Sequence, residues 1–177
     1  MLTKPTPQII AAEFLTDDLL NDFTDFLTFL QTNKLKPHWI AKNAWEVKIK
    51  NFQILRRLRI NSEHKNWSIN LHFYNGYNEH IINDEFKEFI WANLCQNICH
   101  NNANCRHYST IQFFGKNFTK MCCCGQITIS NPTGKEMEFS KELILITKTI
   151  VEKVILEDAE KPNKRGYLSL ISGRHLK

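Results

Sequence analysis

The sequence lacks any apolar run that approaches the roughly 20 residues needed to span a bilayer. We also expect no secretory signal in the first residues given, because Glu13 interrupts the apolar stretch from Ile9 to Leu15 and two prolines precede that stretch. We therefore expect a cytoplasmic protein without contact to a membrane. In a reducing compartment, clustered thiols are metal ligands or redox groups more often than permanent disulfides.

Glycine is scarce, with six residues in 177, and the glycine-rich phosphate loop of nucleotide-binding proteins is missing. Gly115-Lys116 has neither the upstream glycine nor the following Ser or Thr, so this pair indicates a hairpin turn. No complete catalytic signature is present, since the histidines are scattered and none stands at a recognisable spacing from a nucleophile and an acid. These absences indicate a binding protein rather than an enzyme.

The composition is that of one ordinary folded domain. Of the 177 residues 42% are hydrophobic and 11% aromatic, which suffices for one core and argues against wholesale disorder. We expect this single domain to cover residues 1–160, followed by a flexible, charged tail over 161–177. The net charge of +5 is mild, so a nucleic-acid partner requires the basic groups to cluster on one face.

The hydrophobic periodicity predicts an α+β fold. Thr16 can cap an N-terminal helix over 17–32, and period-two alternation over 45–49, 54–60 and 67–73 predicts an antiparallel three-stranded meander. A helix capped by Asp84 then leads to a cysteine-rich β-hairpin around 111–114, followed by a strand over 126–129. A C-terminal helix that begins at Ser140 and carries a buried apolar stripe completes the fold.

The six cysteines form two clusters on either side of the predicted hairpin. The first cluster is Cys95-x3-Cys99-x5-Cys105 and the second is Cys122-Cys123-Cys124. Zinc prefers four soft ligands in a tetrahedral arrangement, and two ligand pairs brought together by a β-turn are a common way to supply them. The stretch over 95–124 therefore predicts one thiol site that binds zinc.

The predicted ligands are two cysteines from each cluster. Adjacent side chains of an extended segment point in opposite directions, so Cys122 and Cys124 are a better pair than any pair that includes Cys123. Cys99 and Cys105 are their predicted partners. The alternates are Cys95, Cys123, His100 and His107. Four thiolates leave no coordination position open, so the zinc would be structural rather than catalytic.

Two other interpretations of the cysteines stay open. One is thiol-disulfide redox chemistry, in which Cys105 pairs reversibly with Cys122 or Cys124. The other is that several of the six are ordinary buried cysteines, which behave as small apolar side chains. Metal content separates the first of these from a zinc site.

Aromatic and basic residues along the predicted sheet suggest the kind of partner. Trp45 and Trp67 are candidate ligand-binding residues, because an aromatic-lined cleft on a sheet can hold a small ligand; the alternative is that both are core. A basic region around Arg57 resembles the basic and aromatic mixtures that bind single-stranded nucleic acid. Here, however, the aromatics alternate inward, which favours a solvated face. An unidentified small molecule or protein is the expected partner, with nucleic acid as a weaker alternative.

Several short motifs occur in a fixed order along the chain. They are Lys36-Pro37-x-Trp39, Asn43-x-Trp45-x-Val47, Ile90-Trp91, Gly115-Lys116-x-Phe118, Cys122-x-Cys124 and Asn131-Pro132. In these motifs, over about residues 26–155, the chain resembles an uncharacterised family of short bacterial cysteine-rich α+β proteins. The resemblance implies a compact domain with a metal or thiol site and no assigned activity. The chain departs from the pattern in its Asn-rich loop after Cys99 and in the triplet made by Cys123.

Overall fold

The computed structural model describes residues 4–72, 76–80, 82–94, 109–121 and 126–160. The predicted α+β class is confirmed, with four α-helices and a five-stranded antiparallel sheet in the described residues. In chain order the elements are α1 (Pro7–Phe14), α2 (Asp17–Thr32), β1 (Pro37–Ala41), β2 (Ala44–Ile49), β3 (Phe52–Asn61), β4 (Asn66–His72), the 3-10 turn η1 (Tyr77–Glu79), α3 (Asp84–Asn93), β5 (Ser109–Phe113), β6 (Lys116–Met121), β7 (Gln126–Ser130) and α4 (Gly134–Glu160). None of these helices is long and apolar enough to cross a bilayer.

The chain forms two compact units. The first unit comprises residues 1–71 and 128–145, and the second comprises 72–127 and 146–177. The single domain over 1–160 stays a prediction, and the predicted tail over 161–177 lies outside the described residues.

The first unit contains a sheet with the strand order β1-β2-β3-β4-β7. Strands β1 to β4 follow one another antiparallel, and a two-residue turn, Lys42-Asn43, joins β1 to β2. The predicted three-stranded meander is therefore part of a larger sheet. The sequence pattern did not predict β1, because Pro37 interrupts the helical pattern and the following residues show no hydrophobic alternation.

Helix α2 packs on this sheet, and its predicted bounds of 17–32 are confirmed. Its apolar stripe is buried, and the Trp67 ring lies 5.1 Å from Phe23 and 5.3 Å from Phe26, measured between ring centroids. Burial of each such side chain stabilises the fold by about 1.5–3 kcal/mol. Thr16 is the N-cap residue but its side chain makes no capping hydrogen bond, so the acidic first turn interacts with the helix dipole instead.

Other helix starts differ from the predictions. The sequence pattern did not predict α1, which follows the capping residue Thr6 and has Pro7 in its first turn. Helix α3 is capped by Asn83 rather than by Asp84, because Asn83 Oδ1 accepts a hydrogen bond from Phe86 N at 2.7 Å. Helix α4 begins at Gly134, and Ser140, expected at its start, is buried one and a half turns inside it.

Most of the described residues with a positive φ angle are not glycine. Positive φ angles occur at Lys34, Asn43, Lys50, Lys65, Phe114 and Asn131 among the described non-glycine residues. Asn131, which follows β7, also forms two hydrogen bonds with the Trp67 backbone. Its N–H donates to Trp67 O at 2.9 Å, and its Oδ1 accepts from Trp67 N at 2.8 Å. The Asn131-Pro132 motif thus connects the end of β7 to the start of β4.

Candidate functional site

The six cysteines and the two alternate histidines, His100 and His107, lie outside the described residues. The predicted zinc ligands Cys99, Cys105, Cys122 and Cys124 therefore stay predictions. Over the parts of the chain that the structure describes, no group of three or more His, Cys, Asp or Glu side chains could hold a metal ion. The structure does describe the residues that flank the two cysteine segments along the chain.

The flanks of the two cysteine segments are paired with one another. Leu94, which directly precedes the first segment, forms an antiparallel bridge with Ile127, which follows the second. Ser109, where the described chain resumes, pairs with Met121, the residue before Cys122. Leu94 and Ile127 are both buried, so this pairing belongs to the core of the second unit. Both segments thus start and end at backbone positions that are hydrogen-bonded neighbours.

Strands β5 and β6 connect these flanks through a tight turn. Phe113 pairs with Lys116, so the two turn residues are Phe114 and Gly115, one position earlier than expected. Their φ angles are 47° and 84°, and a type I′ hairpin turn requires positive φ at both central positions. The turn twists with the strands and sets the register of the pairs from Phe113–Lys116 to Ile111–Phe118. A register shift then precedes the pair of Ser109 with Met121.

The turn end of the β5–β6 hairpin is anchored by aromatic and polar contacts. Trp91 on α3 donates its Nε1 hydrogen to Phe113 O at 3.0 Å, and Asn78 Oδ1 accepts from Phe114 N. The Tyr77 ring meets the Phe113 ring edge-on at 5.2 Å. These contacts hold the turn end of the hairpin, and the cysteine segments adjoin its opposite, open end.

Lys116 adds a cation–π contact to this anchor. Its Nζ lies 4.8 Å from the Trp91 ring centroid and 5.7 Å from that of Phe118. Residues of the Ile90-Trp91 and Gly115-Lys116-x-Phe118 motifs therefore pack on one another in space. No sequence signal pointed to Asn78, a loop asparagine 36 residues from its partner.

The two candidate ligand-binding tryptophans lie in the core of the first unit. Trp45 is 1% exposed and donates its Nε1 hydrogen to Pro5 O at 3.2 Å. Trp67 is fully buried, and its Nε1 has no hydrogen-bond partner among the described residues. Neither ring presents surface to solvent in this conformation, so ligand binding by these residues stays a prediction.

The opposite face of the sheet carries the basic strand region. Arg57 and Arg59 on β3 are exposed, and the tryptophans alternate to the buried side, as the sequence pattern predicts. On β2, Glu46 forms an ion pair with Lys48 at 2.6 Å and accepts a hydrogen bond from Gln53. Burial raises the pKa of Glu46, but these two hydrogen bonds and the Lys48 charge outweigh it, so the pKa lies below its ordinary value.

Comparison with known proteins finds no matching family model, no matching curated protein and no matching solved structure. The resemblance to the short cysteine-rich family therefore stays a prediction that depends on the motifs alone. Three of these motif residues, Trp91, Lys116 and Phe118, meet around the hairpin turn. Their positions are explained by packing.

Proposed function

We propose that this chain is a zinc-stabilised binding domain of the cytoplasm, in which the cysteine-bearing hairpin holds one structural zinc ion. The proposed ligands are Cys99, Cys105, Cys122 and Cys124. The observation that supports the proposal is the pairing of the flanks, Leu94 with Ile127 and Ser109 with Met121. The partner that the domain binds is a small molecule or another protein.

The sequence distances to these flanks suit a shared site. Cys122 is one residue from Met121 and Cys124 is three from Ile127, while Cys105 is four from Ser109 and Cys99 is five from Leu94. A chain spans at most about 3.5 Å per residue, so each thiol is tied to the paired flanks by a short tether. Short tethers lower the entropic cost of bringing four ligands to one ion.

A zinc ion would also stabilise the β5–β6 hairpin. A two-stranded hairpin is at best marginally stable alone, and β5 and β6 pair only with each other among the described strands. Its turn end is anchored by Trp91 and Asn78, but its open end carries the cysteines. Four thiolates on one ion would fasten that open end, because binding free energy at a structural zinc site adds to folding free energy.

The test is the metal content of protein prepared anaerobically without chelator. We expect one zinc per chain, and we expect four of the six thiols to react with a disulfide reagent only after the metal is chelated. Cys122→Ser and Cys124→Ser should lose zinc, whereas the matched variant Cys123→Ser should retain it. Zinc loss in Cys123→Ser equal to that in Cys122→Ser would contradict the ligand assignment.

The redox alternative predicts a different result from the same preparation. Metal-free protein that forms and reopens a disulfide between Cys105 and Cys122 or Cys124, with unchanged stability, would replace the zinc proposal. Such chemistry requires a thiol of lowered pKa that is open to its partner, whereas zinc-bound thiolates are protected from oxidation.

A further inference from the structure

Strand β1 lies at one edge of the five-stranded sheet and, among the described strands, pairs with β2 alone. After the half-buried Pro37, every residue of the strand is exposed. Beyond the β1–β2 ladder, no backbone hydrogen bond within the described chain reaches this strand. An edge of this kind presents N–H and C=O groups to which a strand of another protein can add.

The exposed edge carries apolar surface at its centre. Trp39 is 37% exposed and Ile40 is 38% exposed, and they are neighbours among the few large hydrophobic residues that the described chain leaves exposed. The register shift between Trp39 and Ala41 leaves Ile40 without a pairing partner in β2. Side-chain pockets or patches beside an added strand give such an interaction its specificity.

The charged side chains at the two ends of β1 are of one sign, although Glu46 of β2 lies opposite His38 within the strand. Between Asp25 and Glu46 the sequence has three lysines, Lys34, Lys36 and Lys42, and no acidic residue. Lys36 and Lys42 are exposed at the two ends of β1, and neither has an ion pair with any described residue. Glu46, the next carboxylate along the chain, already pairs with Lys48.

This charge pattern disfavours a second copy of the chain as the occupant. Antiparallel pairing of β1 with itself about Trp39 would set Lys36 opposite Lys42 in both halves of the ladder. Like charges directly opposite one another destabilise a strand pair. A strand with carboxylates at both ends would instead find an opposite charge at each end.

We propose that β1 is a docking strand for an extended segment of another protein, with apolar residues in its middle and acidic residues at its ends. The segment adds to the sheet beside β1, places its apolar side chains on Trp39 and Ile40, and sets its carboxylates near Lys36 and Lys42. The surface belongs to the first unit and is independent of the proposed zinc site.

The test uses a fluorescein-labelled peptide, Asp-Asp-Val-Thr-Val-Thr-Val-Asp-Asp, and fluorescence anisotropy with the full chain. We expect saturable binding, and about fivefold to tenfold weaker binding by Lys42→Glu, in which an attractive charge pair becomes repulsive. The matched control is Lys65→Glu, another exposed turn lysine with the same change in net charge, which should bind like the unchanged protein. Hydrogen exchange should slow over residues 37–41 on binding.

Two further peptides separate strand addition from general charge attraction. A peptide with Pro in place of the central Val and of the Thr after it loses a ladder donor whichever edge of the peptide faces β1, and one with Lys in place of all Asp residues reverses the charge. Both should bind at least about tenfold more weakly. Equal binding of the Pro peptide, or equal loss in Lys42→Glu and Lys65→Glu, would overturn the proposal. So would a dimer in sedimentation velocity that protects residues 37–41 without peptide.

Discussion

Replacement of Asn131 by alanine is the sharpest test of the packing in the first unit. The Asn131 side chain accepts the Trp67 backbone N–H at 2.8 Å, and its own backbone has a φ of 46°. Alanine removes the acceptor, and a part-buried donor without a partner costs about 1–3 kcal/mol. A left-handed conformation costs alanine about 1–2 kcal/mol, whereas Asn tolerates it better. The two effects together predict a loss of about 2–5 kcal/mol.

Two further substitutions at the same position separate these effects. Asn131→Gly loses the acceptor but adopts the positive φ without strain, so it should be about 1 kcal/mol less destabilising than Asn131→Ala. Asn131→Asp keeps an acceptor oxygen and tolerates the left-handed conformation, so it should stay within about 1 kcal/mol of the unchanged protein.

The assay is urea unfolding of the reduced protein, followed by tryptophan fluorescence. With a slope of about 2 kcal/mol/M, Asn131→Ala should lower the urea midpoint by about 1–2.5 M. Equal losses in the alanine and glycine variants would refute the strain argument. A loss in Asn131→Asp as large as in Asn131→Ala would refute the role of the side-chain oxygen.

Two other predictions concern a helix cap and a carboxylate. Asn83→Ala removes the acceptor of Phe86 N and should lower stability by about 1 kcal/mol in urea unfolding, whereas Asn83→Asp should be nearly neutral; equal losses would contradict the capping role. The lowered pKa of Glu46 means that its ionised form stabilises the fold above pH 4.5 and that this contribution is lost as the pH falls through the lower folded-state value. When the pH is lowered below 4.5, the Glu46→Gln variant should therefore lose less stability than the unchanged protein. Identical curves of stability against pH would contradict the contribution of Lys48 and Gln53.

The sequence predicts the elements whose apolar faces pack on a core. Helix α2 shows a strong 3.6-residue stripe, and strands β2, β3, β4 and β7 show alternation or a bounded apolar run, so their positions could be predicted within one or two residues. Strand β1 has no buried face, so its sequence shows no hydrophobic alternation. It is a strand because β2 turns back along it after the Lys42-Asn43 turn. Helix α1 is short, and its apolar residues are consecutive rather than periodic.

The candidate site, too, can be predicted from the sequence only in part. The two-cluster spacing and the hairpin between the clusters can be seen in the sequence, and Gly115 indicated the turn to within one residue. The bridge between Leu94 and Ile127, and the bond from Phe114 to Asn78, join residues that are far apart along the chain. Such contacts depend on tertiary packing and leave no local periodicity, so pattern reasoning does not predict them.

The lysines in left-handed turns give this chain room for engineering. Lys34, Lys50 and Lys65 are all exposed and have φ angles between 48° and 59°. Each holds a conformation that costs an ordinary residue about 1–2 kcal/mol, more than the roughly 0.5–1 kcal/mol of chain entropy that glycine would lose there. The tips of these turns are therefore where a more heat-resistant version of the protein can be sought.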